Sequence, residues 1–148
     1  METVDIRPKT ILGSLRACSR AEVFREMVDH LVETKLLPQD LREPVIQALE
    51  IREQKLTTAI GNSLALPHAS IPHLPTSVTA LARSVEGIDC QAPDGRPVHL
   101  FYLVLVPTED YAVHLRTVAA VTRFFRDPGI FEKLHACGND QELMAVFS

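Results

Sequence analysis

Apolar residues recur along the first third of the chain with the 3.6-residue period of a helix. Val23, Met27, Val28 and Leu31 follow Ser19-Arg20-Ala21-Glu22, an S-x-x-E box in which Ser and Glu satisfy orphan backbone donors reciprocally. The pattern predicts a helix over about 20–35, closed off by Pro38. Asp40 and Glu43 signal a second start, with Pro44 in the first turn, where its missing N–H is tolerated. Val45, Leu49 and Arg52 then share a face, which predicts a helix from 41 to about 54 with Arg52 and Glu53 at its C-terminal end.

The middle third changes period. Ser77 to Val85 alternates in part between apolar and polar residues, as a half-buried strand does, whereas Val98 to Val106 is almost continuously apolar and reads as a central strand covered on both faces. Asp94-Gly95 marks a turn between them. Ile60 to Leu66 reads as extended, from its Leu64 and Leu66 alternation and from Pro67, which disfavours a helical residue before it. Helical spacing returns from Tyr111 to Phe125. Asp127-Pro128 opens a further helix with Phe131 and Leu134 on its inner face, and Asn139 starts a short last one through Leu143 and Phe147. Helices, then strands, then helices predict an α/β fold, a three-layer α/β/α sandwich with a mixed central sheet.

Composition narrows the function. The 148 residues fit one domain over 1–148, long enough to bury a core without disulfides or a structural metal. A net charge of −4 lacks the basic excess that phosphate-backbone binding needs, so nucleic acid is a poor partner. The longest strongly apolar run, Leu100 to Val106, falls far short of the about 20 residues of a membrane-spanning helix. The first residues show no secretory signal. Cys18, Cys90 and Cys137 are odd in number and scattered, which points to reduced thiols in a cytoplasm.

The chemistry centres on histidine. His30 and His135 sit at helical positions where surface or dipole roles suffice. His68 differs, because it follows an extended segment that stops at Pro67 and so stands where a sheet ends. A zinc site of His68, His73 and His114 is a weak rival: His68 and His73 flank Pro72 and are not on one helix face, and no well-spaced Cys or carboxylate completes the set.

The run Glu53, Ile60-Gly61, Leu64-Ala65-Leu66-Pro67-His68-Ala69 resembles the active-site signature of the fructose/mannitol/nitrogen type of enzyme IIA in the bacterial phosphoenolpyruvate:sugar phosphotransferase system (PTS). The resemblance extends from about Ile11 to Phe147. It implies that His68 accepts a phosphoryl group on Nε2 from phospho-HPr and hands it to a IIB component. It also implies that Arg52 and His114 adjoin the site and steady the group, with no metal or cofactor. An imidazole suits this role, being uncharged near neutral pH and a fair leaving group, and Arg52 offers a permanently charged donor fork. Thr58 is either a plain strand residue or a hydroxyl close to His68. Many relatives carry Gly where Ser63 and Ala69 stand; a positive φ at Ala69 would cost roughly 1–2 kcal/mol. Leu66, Ile71 and Leu74, with Pro72 and Pro75, are candidates for an apolar docking patch. The alternative function is a regulatory protein-binding module that has lost phosphotransfer. The two differ in whether the chain, given a competent HPr, gains one phosphate that depends on His68.

Overall fold

The almost continuously apolar run Val98–Pro107 forms the central strand of a six-stranded mixed sheet, in a computed structural model that describes residues 5–55 and 57–147. In chain order the strands are β1 (Thr10–Leu12), β2 (Ala59–Gly61), β3 (Leu64–Ala65), β4 (His68–Ile71), β5 (Val78–Ile88) and β6 (Val98–Pro107). The helices are α1 (Arg20–Glu33), α2 (Arg42–Lys55), α3 (Tyr111–Phe124), α4 (Pro128–Ala136) and α5 (Asp140–Ala145). β5 pairs antiparallel with one edge of β6 and carries β1 in parallel outside it. The other edge of β6 takes β3 and then β4, both parallel, with β2 antiparallel outside β3.

Alternation along the strands divides the core into two apolar layers. Ala80, Ala82, Phe101, Leu103 and Leu105 face α1 and α2, packing on Val23, Met27, Leu31, Val45 and Leu49. Leu81, Leu100, Tyr102, Val104 and Val106 face the C-terminal helices through Val121, Phe125, Leu134, Leu143 and Phe147. Both faces of the sheet are covered, as the predicted three-layer α/β/α arrangement requires. Among the described residues no helix is long and apolar enough to cross a membrane. The reading of residues 1–4 lies outside the described residues.

The helix starts follow their caps. Ser19 accepts the N–H of Glu22, and the Glu22 carboxylate accepts the Ser19 hydroxyl at 3.0 Å rather than its backbone N–H. Asp127 accepts from Gly129 N and Asn139 from Glu142 N. A single 3₁₀ turn, Gln39–Leu41, precedes α2.

Three strand expectations need correction. Ile60 to Leu66 is not one extended piece but a hairpin: Gly61 pairs with Leu64 across the two-residue turn Asn62-Ser63, whose φ angles of 55° and 65° are those of a type I′ turn. His68 does not stand where the sheet ends; it opens β4, so β3 and β4 are two parts of one path along β6, broken at Leu66-Pro67. Val78 to Ser84 is buried on both faces, not half-buried. Its polar residues are inside because they have partners: the Arg83 guanidinium donates to the carbonyls of Gly13 (2.9 Å), Leu134 (2.9 Å) and Cys137 (2.7 Å). The strain considered at Ala69 falls elsewhere, since Ala69 is not among the residues with positive φ and Ser63 is.

Candidate active site

Pro67 has no N–H to give the ladder, and the strand path breaks there. Leu66 turns its N–H to the Thr58 carbonyl (3.0 Å), and its own carbonyl receives the side chain of His68, Nδ1 to oxygen 2.7 Å. A carbonyl only accepts, so Nδ1 carries the proton and the neutral ring keeps its lone pair on Nε2. The proline before His68 thus helps to choose the tautomer.

In register His68 stands opposite Val104 of β6. β6 runs on to Pro107, a 3₁₀ turn (Thr108–Asp110) follows, and α3 begins at Tyr111. This short return lays the first turn of α3 back over the strand end and brings the His114 ring to 4.9 Å from that of His68, tilted by 49°. His114 is buried and His68 half-buried.

Arg52 occupies the last turn of α2, a helix that packs on β4. Burial holds the His68 imidazole below its ordinary value of 6.5, opposed by the Leu66 hydrogen bond; the Arg52 charge lowers it further and the Glu53 charge raises it. His114 is lowered too, first by burial, then by the charges of His68 and Arg52. The positive charge of Arg52 therefore reaches both rings, and near neutral pH both are uncharged. A half-buried neutral imidazole with a free Nε2 lone pair, beside a fixed cation, can attack an anionic electrophile and have the charge on that electrophile neutralised.

The structure sets the His68 and His114 rings side by side, and the charge of Arg52 reaches both. His73 lies apart, exposed in the turn after β4 with φ 67°. Among the described residues no group of three or more His, Cys, Asp or Glu is placed to hold a metal ion. His30 and His135 stand in the last turns of α1 and α4, His30 against the Thr10 hydroxyl at 2.8 Å and His135 stacked on Phe131. Leu66, Ile71 and Leu74 are core residues, 3%, 1% and 4% exposed, and form no docking patch. The exposed apolar side chains near the site are instead Ile51 and Leu115, the chain neighbours of Arg52 and His114.

Sequence reasoning missed a cluster around Glu53. This carboxylate is 6% exposed. It accepts the Thr58 N–H at 3.1 and 3.2 Å, the Thr58 hydroxyl at 2.7 Å, the Thr57 hydroxyl at 2.9 Å and Arg20 Nη1 at 3.0 Å. Thr58 thus bonds a carboxylate, not His68. Glu53 was visible as part of the signature run, but nothing local to Arg20, read as a helix-start residue, marked its reach across 33 positions.

Comparison with known proteins agrees with this architecture. The family model "Phosphoenolpyruvate-dependent sugar phosphotransferase system, EIIA 2" matches residues 6–148. A "Nitrogen regulatory protein" of Bradyrhizobium diazoefficiens is 34% identical over 143 residues, covering 97% of this chain and 92% of that protein. A "PTS system fructose-specific EIIA component" of Haloferax volcanii is 33% identical over 109 residues, 74% of this chain and 71% of the other. The crystal structure of the nitrogen regulatory protein IIA-Ntr from Neisseria meningitidis superposes with a TM-score of 0.83 at 25% identity, covering 94% of this chain and 92% of that one. The chain belongs to the EIIA type-2 family of the phosphoenolpyruvate-dependent sugar phosphotransferase system.

Proposed function

We propose that this chain is a phosphoryl carrier, one IIA domain that takes its phosphoryl group from phospho-HPr on His68 and delivers it to a IIB component. The Nε2 lone pair of His68 attacks the phosphorus of the donor's phosphohistidine. The donor's P–N bond breaks, its electron pair returns to the donor ring, and no redox change occurs. Because the transition state is loose and its charge lies on the equatorial oxygens, catalysis is mostly positioning and electrostatic stabilisation. Arg52 supplies the cation and His114 a hydrogen-bond donor. As the new bond forms, the His68 ring gains positive character, which the Leu66 carbonyl on Nδ1 stabilises. The observation that carries this reading is the 2.7 Å bond from His68 Nδ1 to Leu66, which leaves Nε2 as the nucleophile.

The Bradyrhizobium diazoefficiens and Neisseria meningitidis relatives are named as nitrogen regulatory proteins, which favours a second reading: binding to a regulatory protein target. Incubation with phosphoenolpyruvate, enzyme I and HPr, followed by mass measurement, separates the two. A gain of one phosphate that disappears in His68→Ala supports the carrier. No gain with a competent HPr contradicts it and leaves the regulatory binding module.

A further inference from the structure

An unbroken hydrogen-bonded path joins Glu53 to the reactive imidazole. The Glu53 carboxylate accepts the Thr58 N–H and hydroxyl, the Thr58 carbonyl accepts the Leu66 N–H at 3.0 Å, and the Leu66 carbonyl accepts His68 Nδ1–H at 2.7 Å. From this path we propose that Glu53 is a positioning residue for phosphoryl transfer, acting on His68 through Thr58 and Leu66 and on Arg52 through the end of α2. The proposal rests on the phosphoryl-carrier reading and deepens it.

Two features of Glu53 go beyond ordinary packing. A buried carboxylate is costly unless it is paired and fully hydrogen-bonded, and here one carboxylate gathers donors from two separate places. Thr57 and Thr58 come from the connection between α2 and β2, and Arg20 from the start of α1. Arg20 and Thr57 are in turn tied to the Cys90 carbonyl, at 3.3 and 2.8 Å. The last turn of α2, which carries Arg52, and the strand start that leads toward His68 are thereby held to one point. Glu53 is also an anion whose field reaches His68 and favours positive charge on that ring. This is the charge that develops when Nε2 bonds to phosphorus. The charged or titratable groups facing His68 are Arg52 and Glu53 from α2 and His114 from α3; those facing Glu53 are Arg20 and the Cys90 thiol.

The test uses Glu53→Gln, which keeps the shape and removes the charge, and Thr58→Val, which removes one donor and keeps the charge. Imidazole titration and tautomer are read by ¹⁵N NMR on the unphosphorylated full chain, so they stand whether or not phosphate is ever accepted. In wild type, His68 is expected in the Nδ1–H form. In Glu53→Gln its titration midpoint is expected to move to lower pH, because the anion that raised it is gone, and phosphate uptake from phospho-HPr to fall about tenfold, roughly the worth of one charged hydrogen bond. Thr58→Val is expected to mix the two tautomers and slow uptake by a smaller factor, without moving the midpoint downward as far. A merely structural role would lower the unfolding midpoint and leave the His68 titration and tautomer where they are; that result overturns the proposal. Should Glu53→Gln not fold, Thr58→Val decides it: a retained single tautomer with wild-type uptake overturns the proposal, and tautomer mixing with slower uptake supports it.

Discussion

The His68 and His114 rings stand 4.9 Å apart, centroid to centroid, although one opens a strand and the other lies in the first turn of a helix. Burial is the main reason that both rings resist a positive charge, and at that separation a charge on His68 further disfavours one on His114. In the proposed carrier the pair would stay neutral while a negatively charged phosphoryl group is brought to it.

This neutrality has a cost in acid. Both imidazoles titrate below their ordinary 6.5 when the chain is folded, so between the folded and unfolded values the unfolded chain binds more protons. Their contribution to stability is complete above about pH 6.5, the unfolded value, and is lost as pH falls from there through the lower folded values. Urea midpoints are expected to drop between pH 7.5 and 5.5, and to drop less in His68→Gln/His114→Gln. Equal slopes in the two proteins would contradict the assignment. Asp5 and Asp94, held below 3.8 by backbone hydrogen bonds, act only in a more acid window.

Arg52→Ala is expected to slow phosphate uptake about a hundredfold, the scale of removing one preorganised electrostatic group. It should change stability by no more than about 0.5 kcal/mol, because the side chain is half-buried at a helix end. His114→Gln is expected to slow uptake roughly tenfold or more. Rates from a phospho-HPr time course, set beside urea unfolding, check both. Normal uptake in Arg52→Ala would remove Arg52 from the site.

The hairpin turn offers a test of the fold alone. Ser63 sits at φ 65°, a left-handed conformation that costs a residue with Cβ about 1–2 kcal/mol. Glycine relieves that strain but loosens the unfolded chain by about 0.4–1 kcal/mol. Ser63→Gly is therefore expected to stabilise by about 0.5–1 kcal/mol in urea unfolding. A destabilised variant would mean that the Ser63 side chain holds the turn by other means.

What could be read in advance follows from how local each signal is. The helices were legible because capping residues and apolar period lie within a few positions of one another, as at Ser19, Asp127 and Asn139. β1 and β4 escaped notice. β1 is three residues held by parallel pairing with β5, and β4 begins behind a proline that looked like a stop. The burial of Val78–Ser84 was hidden because Thr79 and Arg83 look like solvent positions until their partners, Lys9 for one and Gly13, Leu134 and Cys137 for the other, are in place. The candidates His68, Arg52 and His114 come from the signature run and the family likeness. The anchoring of Glu53 by Arg20 and Thr58 could not, since it exists only once α1, α2 and the strand that follows are folded together.

The most direct measurement is the chemical form of the phosphorylated chain. After phosphorylation of ¹⁵N-histidine-labelled protein by phosphoenolpyruvate, enzyme I and HPr, ³¹P–¹⁵N NMR reports which ring nitrogen holds phosphorus. The hydrogen bond from Nδ1 to Leu66 predicts a single phosphohistidine, at Nε2 of His68, absent from His68→Ala. Phosphorus on Nδ1, on another residue, or on none would contradict the assignment of His68 as the carrier.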